Sequence, residues 1–354
     1  MWEKHKRMCE KADSTKDEIA LIIQKIEDEL RSSFSVGSIL EDSCISRVPY
    51  IQDALQSHLL SPSSAIMERG GKRLRPLLLI LLTRMFGGDE FFAYKATPLI
   101  EGVHTASLIH DDIEDGSILR RSAPALHVVH GVDVALNAGT ALYLFSLGLI
   151  EKQKESIRAP MYKASIEALK KLHIGQAMDI KHHNNYALPF DVGMYEAMAR
   201  LKTGTLFALA SEIALLISEK RCDEGGACVL FEELGLAFQM LDDIKNISTG
   251  NVGKERGDDI VEGKLSFPIV LHLAKKPKDK ELIISFFARA KKEGIASQAV
   301  GRCCELLESS GVVEEGGQIA KKKVDLVFEK LYKLYGSSFE LDLVASVFSN
   351  LFSR

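Results

Sequence analysis

The sequence predicts an all-α fold, formed by a single domain of roughly a dozen helices. Apolar residues recur at helical spacing, as in IALIIQKIEDEL at 19–30, where five aliphatic side chains share one stripe. PLLLILLTRMF at 76–86 is apolar almost all round, which is typical of a helix at the centre of a bundle. Alternating strand patterns are scarce, and the nine prolines tend to fall between helical segments.

Residues 1–354 contain no internal repeat, no low-complexity block and no long linker, so one domain is predicted over the whole chain. A polar tail is expected at about 1–16. The segment GNVGKERGD at 250–258 is rich in glycine and charge and separates two helical segments. It is the clearest candidate for a functional loop.

Composition and charge exclude several classes of protein. Apolar residues make up 46% and charged residues 27%, as in ordinary soluble proteins, and the net charge of -4 argues against a nucleic-acid partner. The six cysteines form no CxxC pair, which predicts free thiols in a reducing compartment. No secretory or transit signal is recognised, and the uncharged stretch 134–150 is shorter than the roughly 20 residues of a membrane span. A cytoplasmic protein without a membrane span is predicted.

Acidic residues interrupt the apolar helix that contains LIHDDIED. Asp111 and Asp115 are four residues apart and so project from one helical face, with Asp112 beside them. Ser107 lies on that face one turn earlier, and His104 lies on it two turns earlier. Like charges at this spacing repel each other unless a positive group lies between them.

A second acidic stripe follows in FQMLDDIKN, at helical spacings of three and four. It consists of Gln239, Asp242, Asp243 and Asn246. Either stripe alone could be a solvated helix end. Two matching stripes that face each other would form an all-oxygen site, which suits a hard cation such as Mg²⁺ with water and phosphate oxygens as its other ligands.

Basic residues next to glycines or acidic clusters indicate what such ions would hold. They are Lys72, Arg73, Arg75, Arg120, Arg121, Lys202, Lys254 and Lys264, with Thr203 after Lys202. Lysine and arginine anchor phosphates through charge-assisted hydrogen bonds. Carboxylates, Mg²⁺ and cations in an apolar bundle therefore predict a substrate with a diphosphate head and an apolar tail.

These motifs together resemble those of trans-isoprenyl diphosphate synthases of the polyprenyl synthetase family, most closely the geranylgeranyl diphosphate synthases. The resemblance covers nearly the whole chain in the order GGKRLRP (70–76), DDIEDGSILRRSAP (111–124), GQAMD (175–179), KT (202–203), FQMLDDIKN (238–246) and EGKLSFP (262–268). Two positions depart from the usual pattern. Ser122 replaces a glycine, and Asn246 replaces the last aspartate, although DDxxN forms occur in geranylgeranyl diphosphate synthases.

The resemblance implies an isoprenoid synthase fold, a helical bundle enclosing a central cavity. It implies a Mg²⁺-dependent prenyltransferase that condenses isopentenyl diphosphate with dimethylallyl, geranyl or farnesyl diphosphate. Three Mg²⁺ ions per active site, replaceable by Mn²⁺, and a homodimer are also implied. No organic cofactor is called for.

Residue roles follow from the same resemblance. It implies that Mg²⁺ is bound by Asp111, Asp112, Asp115 and Asp242, with Asp243 nearby in the catalytic group. It implies that the allylic diphosphate is held by Arg120, Lys202, Gln239, Lys254 and Lys264, and isopentenyl diphosphate by Lys72, Arg75, His104 and Arg121. A backbone carbonyl of Lys202 or Thr203, which contact the substrate, is expected to stabilise the allylic cation.

Product length is predicted from the turns that precede Asp111, because the tail is expected to run along that helix towards its N-terminus. Ser107 and Ala106 are small, and Val103 follows one turn deeper, so the pocket is open beyond a C15 tail. A floor is expected deeper, or from a facing helix that carries Tyr143 and Phe145. The predicted product is geranylgeranyl diphosphate (C20), with a longer polyprenyl diphosphate as the alternative.

Three other functions remain as alternatives. His110-Asp111 also occurs in HD-type metal phosphohydrolases, which need a further histidine and a distant aspartate as ligands. A class I terpene cyclase would use the same substrates without isopentenyl diphosphate, and a non-catalytic partner subunit would be expected to lose an aspartate motif. The pair His182-His183 is more typical of a helix end than of a metal site.

Overall fold

The computed structural model describes residues 2–41, 48–183, 185–221, 226–250 and 255–352. Side chains are not described for residues 2–15, 41 and 352. Lys254, to which the family resemblance gives a contact with the allylic diphosphate, lies outside these ranges.

The described residues are almost entirely helical, so the predicted all-α class is confirmed. The helices are α1 (Trp2–Ser33), α2 (Val36–Glu41), α3 (Pro49–Leu55), α4 (Ser61–Glu68), α5 (Leu74–Phe86), α6 (Glu90–Asp115), α7 (Leu126–His130), α8 (Val132–Gly148), α9 (Glu155–His183), α10 (Val192–Ala199), α11 (Thr205–Ile217), α12 (Ala227–Ile247), α13 (Asp258–Glu262), α14 (Phe267–Lys275), α15 (Lys280–Glu293), α16 (Gln298–Ser309), α17 (Val312–Tyr335) and α18 (Phe339–Phe352).

Shorter elements connect these helices. Two π-helical turns span Gln56–Leu60 and Arg200–Gly204, and 3₁₀ turns span Leu149–Lys152 and Pro277–Asp279. Strands β1 (Leu119–Arg120) and β2 (Ala123–Pro124) form an antiparallel hairpin directly after α6. The segment expected to be a polar tail is helical as far as it is described, because α1 begins at Trp2.

The core is built around α5, α6 and α11, which pack against one another. Leu79, Ile80 and Leu82 are completely buried, in agreement with the prediction that 76–86 is a central helix. Such burial of aliphatic side chains contributes about 1.5–3 kcal/mol each to the free energy of folding. A second core lies between α12, α14 and α16 and positions the second acidic stripe.

Helix α8 is both a core helix and a surface helix. It packs along α6, yet Val132, Leu136 and Leu144 form an exposed stripe at four-residue spacing or multiples of it. Of the residues that the structure describes, one segment, Val132–Lys152, is long and apolar enough to cross a membrane by length and composition. This is weak evidence for a span, because 44% of the relevant window is buried and core helices of soluble proteins share that composition.

The prediction that all cysteines are free thiols is wrong for Cys228, which is disulfide-bonded. A disulfide requires two cysteines to be close in space, and the absence of a CxxC motif does not report on that. Cys303 and Cys304 are free and buried. His182 and His183 form the end of α9, where His182 packs against the ring of Phe190.

Candidate active site

A cavity of about 600 Å³ lies in the bundle and collects most of the predicted site residues. Its wall is formed by α5, α6, α9, α12 and the π-helical turn at Arg200–Gly204. One part of the wall is charged, and another is formed by aromatic and aliphatic side chains such as Tyr143, Leu172 and Leu206. The cavity thus combines a polar end with an apolar end.

Helix α6 carries the first acidic stripe along this cavity. Asp89 caps its N-terminus by accepting a hydrogen bond from the amide of Phe91 at 2.9 Å, and Gly116 ends it in the left-handed conformation with φ 66°. His104, Ser107 and Asp111 line the cavity, as the helical spacing predicts.

Lys202 connects Asp111 to α9. Its Nζ donates to Oδ1 of Asp111 at 2.8 Å and to Oδ2 of Asp179 at 2.7 Å. Burial alone would raise the pKa of Asp111, but Lys202, Lys264 and Arg120 hold that pKa well below its usual range. The carboxylates of Asp111 and Asp179 overcome the effect of burial and raise the pKa of Lys202. All three groups are therefore charged at neutral pH.

The position of Lys202 depends on a close approach of α9. A Cβ added to Gly175 would lie 2.6 Å from the backbone nitrogen of Lys202, so a larger residue cannot stand there without displacing the π-helical turn. The next residue, Gln176, donates from Nε2 to Oδ1 of Asp111 at 3.0 Å and to Oε2 of Glu114 at 2.7 Å. The GQAMD segment therefore fixes the positions of Asp111 and Lys202 relative to each other.

Asp112 takes a different position from that expected of a metal ligand. Its carboxylate is completely buried outside the cavity lining and accepts hydrogen bonds from Nε of Arg120, at 2.7 Å, and from Nη2. Arg120 itself lines the cavity, with Nη2 3.8 Å from Asp111. The geometry makes Asp112 a support for Arg120 and leaves Asp111 as the cavity-facing carboxylate of the pair.

Lys264 makes the corresponding contact with Asp115. Its Nζ donates to Oδ2 of Asp115 at 2.5 Å and lies 2.7 Å from Oε2 of Glu262. Ser117 donates to the other oxygen of Glu262 at 2.6 Å. Lys264 lines the cavity, whereas Asp115 is buried behind it. The segment after α13 is thereby tied to the end of α6.

The two aspartates of the second acidic stripe also differ in their surroundings. Asp242 and Gln239 line the cavity. Asp243 also reaches it, but its oxygens accept hydrogen bonds from the hydroxyl of Tyr195 at 2.7 Å, the amide of Phe267 at 2.9 Å and Nε2 of Gln239 at 2.7 Å. Burial raises the pKa of Asp243 to about 6 against these bonds. Asp243 thus joins α10, α12 and α14, and Asp242 is placed to contact a ligand.

Asn246 lies outside the cavity lining and is almost completely buried. Its Oδ1 accepts a hydrogen bond from the amide of Asp259 at 3.3 Å, and its carbonyl accepts one from Gly257 at 2.9 Å. The departure from the family's last aspartate thus contributes to the structure of the segment before α13. Asp259, whose carboxylate the sequence did not single out, lines the cavity.

Lys72, Arg75, His104 and Arg121 lie along the same cavity wall, as their shared assignment to one diphosphate requires. Arg75 Nη1 lies 3.3 Å from Nε2 of His104, and its guanidinium stacks over the ring of Phe207 at 4.7 Å. Burial, followed by the charge of Arg75, lowers the pKa of His104 well below its usual value. Burial also lowers the pKa of Arg75 to about 10. His104 is therefore neutral in the substrate-free protein.

Arg73 differs from the neighbouring cations. The sequence groups it with Lys72 and Arg75, but its side chain is fully buried and bonded to Glu27 and Glu101. Its backbone has φ 46°, in the left-handed region, which turns the side chain away from those of its neighbours. Arg73 therefore contributes to the cavity wall through an ion pair.

The residues predicted to limit the tail are only partly in the cavity wall. Ser107 lines it, whereas Ala106 and Val103 are buried elsewhere in the core. Tyr143, from the facing helix α8, lines the cavity and stacks on His110 with ring centroids 5.5 Å apart. The apolar end is therefore bounded by α6 and α8 together.

The donor set fits a hard cation that takes few ligands from the protein. Asp111 and Asp242 supply carboxylate oxygens to one cavity, which is the chemistry that Mg²⁺ favours when phosphates complete its shell. Within the described part of the chain, no three His, Cys, Asp or Glu side chains converge as a closed metal site. His110 bonds to the carbonyl of Ala106 and to Thr140, so the arrangement gives no support to an HD-type phosphohydrolase.

Some residues of the site were not assigned from the sequence. Asp179 and Gln176 are predicted only as part of the GQAMD motif, and the sequence pattern indicates no role for Tyr195 or Asp259. Glu101 lines the cavity and was also missed, although it begins the stripe that continues through His104, Leu108, Asp111 and Asp115 at alternating spacings of three and four. An acidic residue in phase with that stripe was a usable signal.

Known proteins match this chain over the same segments. Residues 56–303 match the family model described as Polyprenyl synthetase. Geranylgeranyl pyrophosphate synthase 3, chloroplastic, of Arabidopsis thaliana is 33% identical over 274 residues, which cover 71% of either chain. Geranylfarnesyl diphosphate synthase of Aeropyrum pernix is 33% identical over 286 residues, which cover 75% of this chain and 85% of that protein.

A similar fold is found among solved structures. The crystal structure of geranylgeranyl pyrophosphate synthetase from Pyrococcus horikoshii Ot3 superimposes with a TM-score of 0.81 at 23% identity, covering 97% of this chain and 99% of that one. At this level of identity the likeness concerns the fold. The isoprenoid synthase fold that the sequence motifs implied is confirmed.

Proposed function

We propose, since this chain belongs to the polyprenyl synthetase family and is a trans-prenyltransferase, that it condenses isopentenyl diphosphate with an allylic diphosphate in a Mg²⁺-dependent reaction. The observation that carries the proposal is the meeting of Asp111 and Asp242 from two helices in one cavity. That cavity is also lined by Arg75, Arg121, Lys202 and Lys264. An anionic head can be neutralised there while an apolar tail occupies the other end.

The proposed reaction breaks the allylic C–O bond, and the bonding electron pair leaves with the diphosphate. Lys202 and Lys264, which line the cavity together with Arg120 of the hairpin, would neutralise the charge that develops on the leaving oxygen. Bound Mg²⁺, held by Asp111 and Asp242, would add Lewis-acid stabilisation of that leaving group. Preorganised charges of this kind usually give the largest part of the rate enhancement.

The new carbon–carbon bond is formed by the double bond of isopentenyl diphosphate. Lys72, Arg75, His104 and Arg121 would hold its diphosphate, so that the attack becomes effectively intramolecular. The adduct then loses a proton to the released diphosphate, and a new double bond forms. A carbonyl of Lys202 or Thr203 would face the cationic carbon from the π-helical turn.

The decisive experiment incubates the protein with labelled isopentenyl diphosphate and each allylic diphosphate, with Mg²⁺ or with EDTA. We expect Asp111→Ala and Asp242→Ala to lower turnover by orders of magnitude while the helical circular dichroism is unchanged. Asp325→Ala, at an exposed position on α17, is the matched control and should retain full activity. Full activity in EDTA, or in either cavity variant, contradicts the proposal. Hydrocarbon products formed without isopentenyl diphosphate would indicate a terpene cyclase instead.

Geranylgeranyl diphosphate is the product that we propose. It is supported by the names of several relatives, although the geranylfarnesyl diphosphate synthase of Aeropyrum pernix is equally similar. Chromatography of the dephosphorylated products formed from geranyl diphosphate and isopentenyl diphosphate decides the length. A main product of C20 supports the assignment, and C15, C25 or longer products contradict it.

A homodimer is also proposed. Val132, Leu136 and Leu144 of α8 leave an apolar stripe exposed, and Ile166 and Ile174 of the following helix are exposed as well. A second copy of the chain is the occupant expected from the family resemblance. Sedimentation at micromolar concentration should give a dimer, and Leu136→Glu combined with Leu144→Glu should shift it towards monomer. A monomeric wild-type protein contradicts this proposal.

We further propose a cytoplasmic location. Support comes from the five acidic residues among residues 1–18, since transit peptides are poor in acidic residues, although the relative from Arabidopsis thaliana is named as chloroplastic. Fractionation of cells that express the full chain tests this, and recovery in an organelle contradicts it.

A further inference from the structure

Glu101 is a buried carboxylate in the wall of the cavity. It lies on α6 one turn before His104, is 2% exposed, and lines the cavity beside Arg73, Arg75 and Arg121. Its Oε1 accepts a hydrogen bond from Nη1 of Arg73 at 2.6 Å and lies 3.6 Å from Nη2 of Arg121. A buried carboxylate is costly unless it is paired, and here two guanidinium groups pair it.

Both partners of Glu101 have strained backbones. Among the described residues, the non-glycine residues with positive φ are Arg73 (46°), Arg121 (54°), Ser122 (60°) and Glu219 (56°). The first three belong to the two loops that meet at Glu101. A left-handed conformation costs an ordinary residue roughly 1–2 kcal/mol, so such residues persist where surrounding contacts hold them. Glu101 contacts both strained arginines.

The same arginines are fixed to the end of α4. Nη2 of Arg73 donates to the carbonyl of Met67 at 2.6 Å, and Nη1 of Arg121 donates to the carbonyl of Ile66 at 2.9 Å. Gly71 fits closely against Arg121, because an added Cβ would lie 3.0 Å from Nη2. Glu101 thus connects the GGKRLRP loop, through Arg73, to the Arg120-Arg121 loop, through Arg121.

Charge gives a second reason for a carboxylate at this point. Burial and the neighbouring cations lower the pKa of Arg121, and Glu101 acts in the opposite direction. Burial also lowers the pKa of Arg75, again opposed by Glu101. Without a bound diphosphate, the arginines would repel each other if this carboxylate were neutral.

We propose that Glu101 is a positioning residue for the isopentenyl diphosphate site, where it holds Arg73 and Arg121 so that Lys72, Arg75 and Arg121 are aligned before the diphosphate binds. This inference rests on the proposed function and adds a residue to it. Glu101 does not touch the substrate. It acts through the two guanidinium groups.

The test is Glu101→Gln, which keeps the shape of the side chain and removes its charge. Two effects oppose each other. Loss of a negative charge would by itself favour binding of a diphosphate, whereas loss of alignment would weaken it. We expect alignment to dominate, because the charge-assisted hydrogen bond to Arg73 and the ion pair with Arg121 are weakened together. The KM for isopentenyl diphosphate should rise on the order of tenfold or more, while the KM for the allylic diphosphate stays within about twofold.

Glu27→Gln is the matched control. Glu27 also bonds Arg73, with Nε at 2.7 Å from Oε1, but it comes from α1 and does not line the cavity. The control should leave both KM values close to those of the wild type. A rise in the KM for isopentenyl diphosphate as large as that of Glu101→Gln would overturn the inference, because it would mean that any loosening of Arg73 has this effect.

Other outcomes are equally decisive. An unchanged or lowered KM for isopentenyl diphosphate in Glu101→Gln, or an equal rise for both substrates, overturns the inference while the proposed function stands. If Glu101→Gln does not fold, Glu101→Asp carries the test, because it keeps the charge but withdraws it by one methylene from both arginines. A wild-type KM for isopentenyl diphosphate in Glu101→Asp overturns the inference. A wild-type protein that does not condense the two substrates overturns the proposed function and this inference together.

Discussion

Lys202 and Asp111 form an ion pair of 2.8 Å across the cavity, between a π-helical turn and the first acidic stripe. Their side chains are 22% and 14% exposed. The ammonium group also bonds Asp179, so one cation neutralises two carboxylates. In the substrate-free protein, Lys202 thus supplies positive charge at a carboxylate that we propose as a ligand of Mg²⁺.

Lys202→Met should destabilise the substrate-free protein, because Asp111 and Asp179 would lose their shared cation. Breaking a largely buried ion pair costs on the order of 3 kcal/mol. Mg²⁺ should restore part of this, so the Tm of Lys202→Met should rise more on addition of Mg²⁺ than the Tm of the wild type. Thermal denaturation with and without Mg²⁺ measures both values.

Lys171→Met is the control for this prediction. Lys171 lies on the same helix as Asp179, but its side chain is 53% exposed and its ion pair with Glu232 is long, at 3.8 Å. It should change neither the Tm nor its response to Mg²⁺. A Lys202→Met protein as stable as the wild type, or one that responds to Mg²⁺ no more than the wild type does, contradicts the prediction.

Asp112→Asn and Asp111→Asn should have different kinetic effects. Asp112 holds Arg120, so its neutralisation should raise the KM for the allylic diphosphate roughly tenfold and leave the Mg²⁺ concentration for half-maximal rate nearly unchanged. Asp111 faces the cavity, so Asp111→Asn should raise that Mg²⁺ concentration strongly. Steady-state rates over a range of Mg²⁺ concentrations measure both effects. Equal shifts in the two variants would show that Asp112 is itself a metal ligand.

The helical part of the site could be predicted because spacing alone determines which side chains share a face. Asp111 and Ser107 lie in the cavity wall at the positions that the period of α6 requires. Central burial of 76–86 followed from its composition in the same way. These properties are local, because they depend only on the spacing and composition of residues within one helix.

The partners of these side chains could not be predicted, because they come from loops whose conformation leaves no periodic signal. Arg73 is buried in the core and has a positive φ, and an arginine in the sequence does not predict a left-handed backbone conformation. Arg120 reaches back to Asp112 through a hairpin of two residues per strand, too short for a strand pattern. The disulfide of Cys228 likewise depends on distance in space.

Ser122→Gly should stabilise the protein by roughly 0.5–1 kcal/mol, because glycine adopts a left-handed conformation without the strain that serine bears there at φ 60°. The gain is smaller than the strain itself, since glycine also loses more conformational freedom on folding. Urea denaturation measures the change in the free energy of unfolding. The variant should keep its activity, because the family resemblance implies no diphosphate contact for Ser122, although this residue belongs to the cavity lining.

Glu219→Gly provides the comparison, since Glu219 has φ 56° in an exposed turn after α11. It should give a similar gain in stability. If Ser122→Gly lowers the free energy of unfolding while Glu219→Gly raises it, contacts of the serine side chain outweigh the backbone strain, and the explanation for Ser122 is incorrect.

Product length should respond in opposite directions to Ser107→Phe and Tyr143→Ala. Ser107 and Tyr143 line the cavity from α6 and α8, and Tyr143 is held by stacking on His110. A phenyl ring at 107 would occupy the path of the tail and shift the product towards C15. Removal of the Tyr143 ring would open space at the apolar end and shift the product beyond C20.

Ala106→Ser is the control, because Ala106 is adjacent to Ser107 in sequence but is completely buried outside the cavity lining. Its product should have the wild-type length, even though the new hydroxyl costs some stability. Product analysis by chromatography, with geranyl diphosphate and excess isopentenyl diphosphate, gives the product lengths of the wild type and the three variants under the same conditions. An unchanged product from Ser107→Phe would mean that the tail does not pass α6 at this turn. An unchanged product from Tyr143→Ala, with Ser107→Phe shortened as expected, would instead place the floor at other side chains of the apolar end, among which Leu172 also lines the cavity.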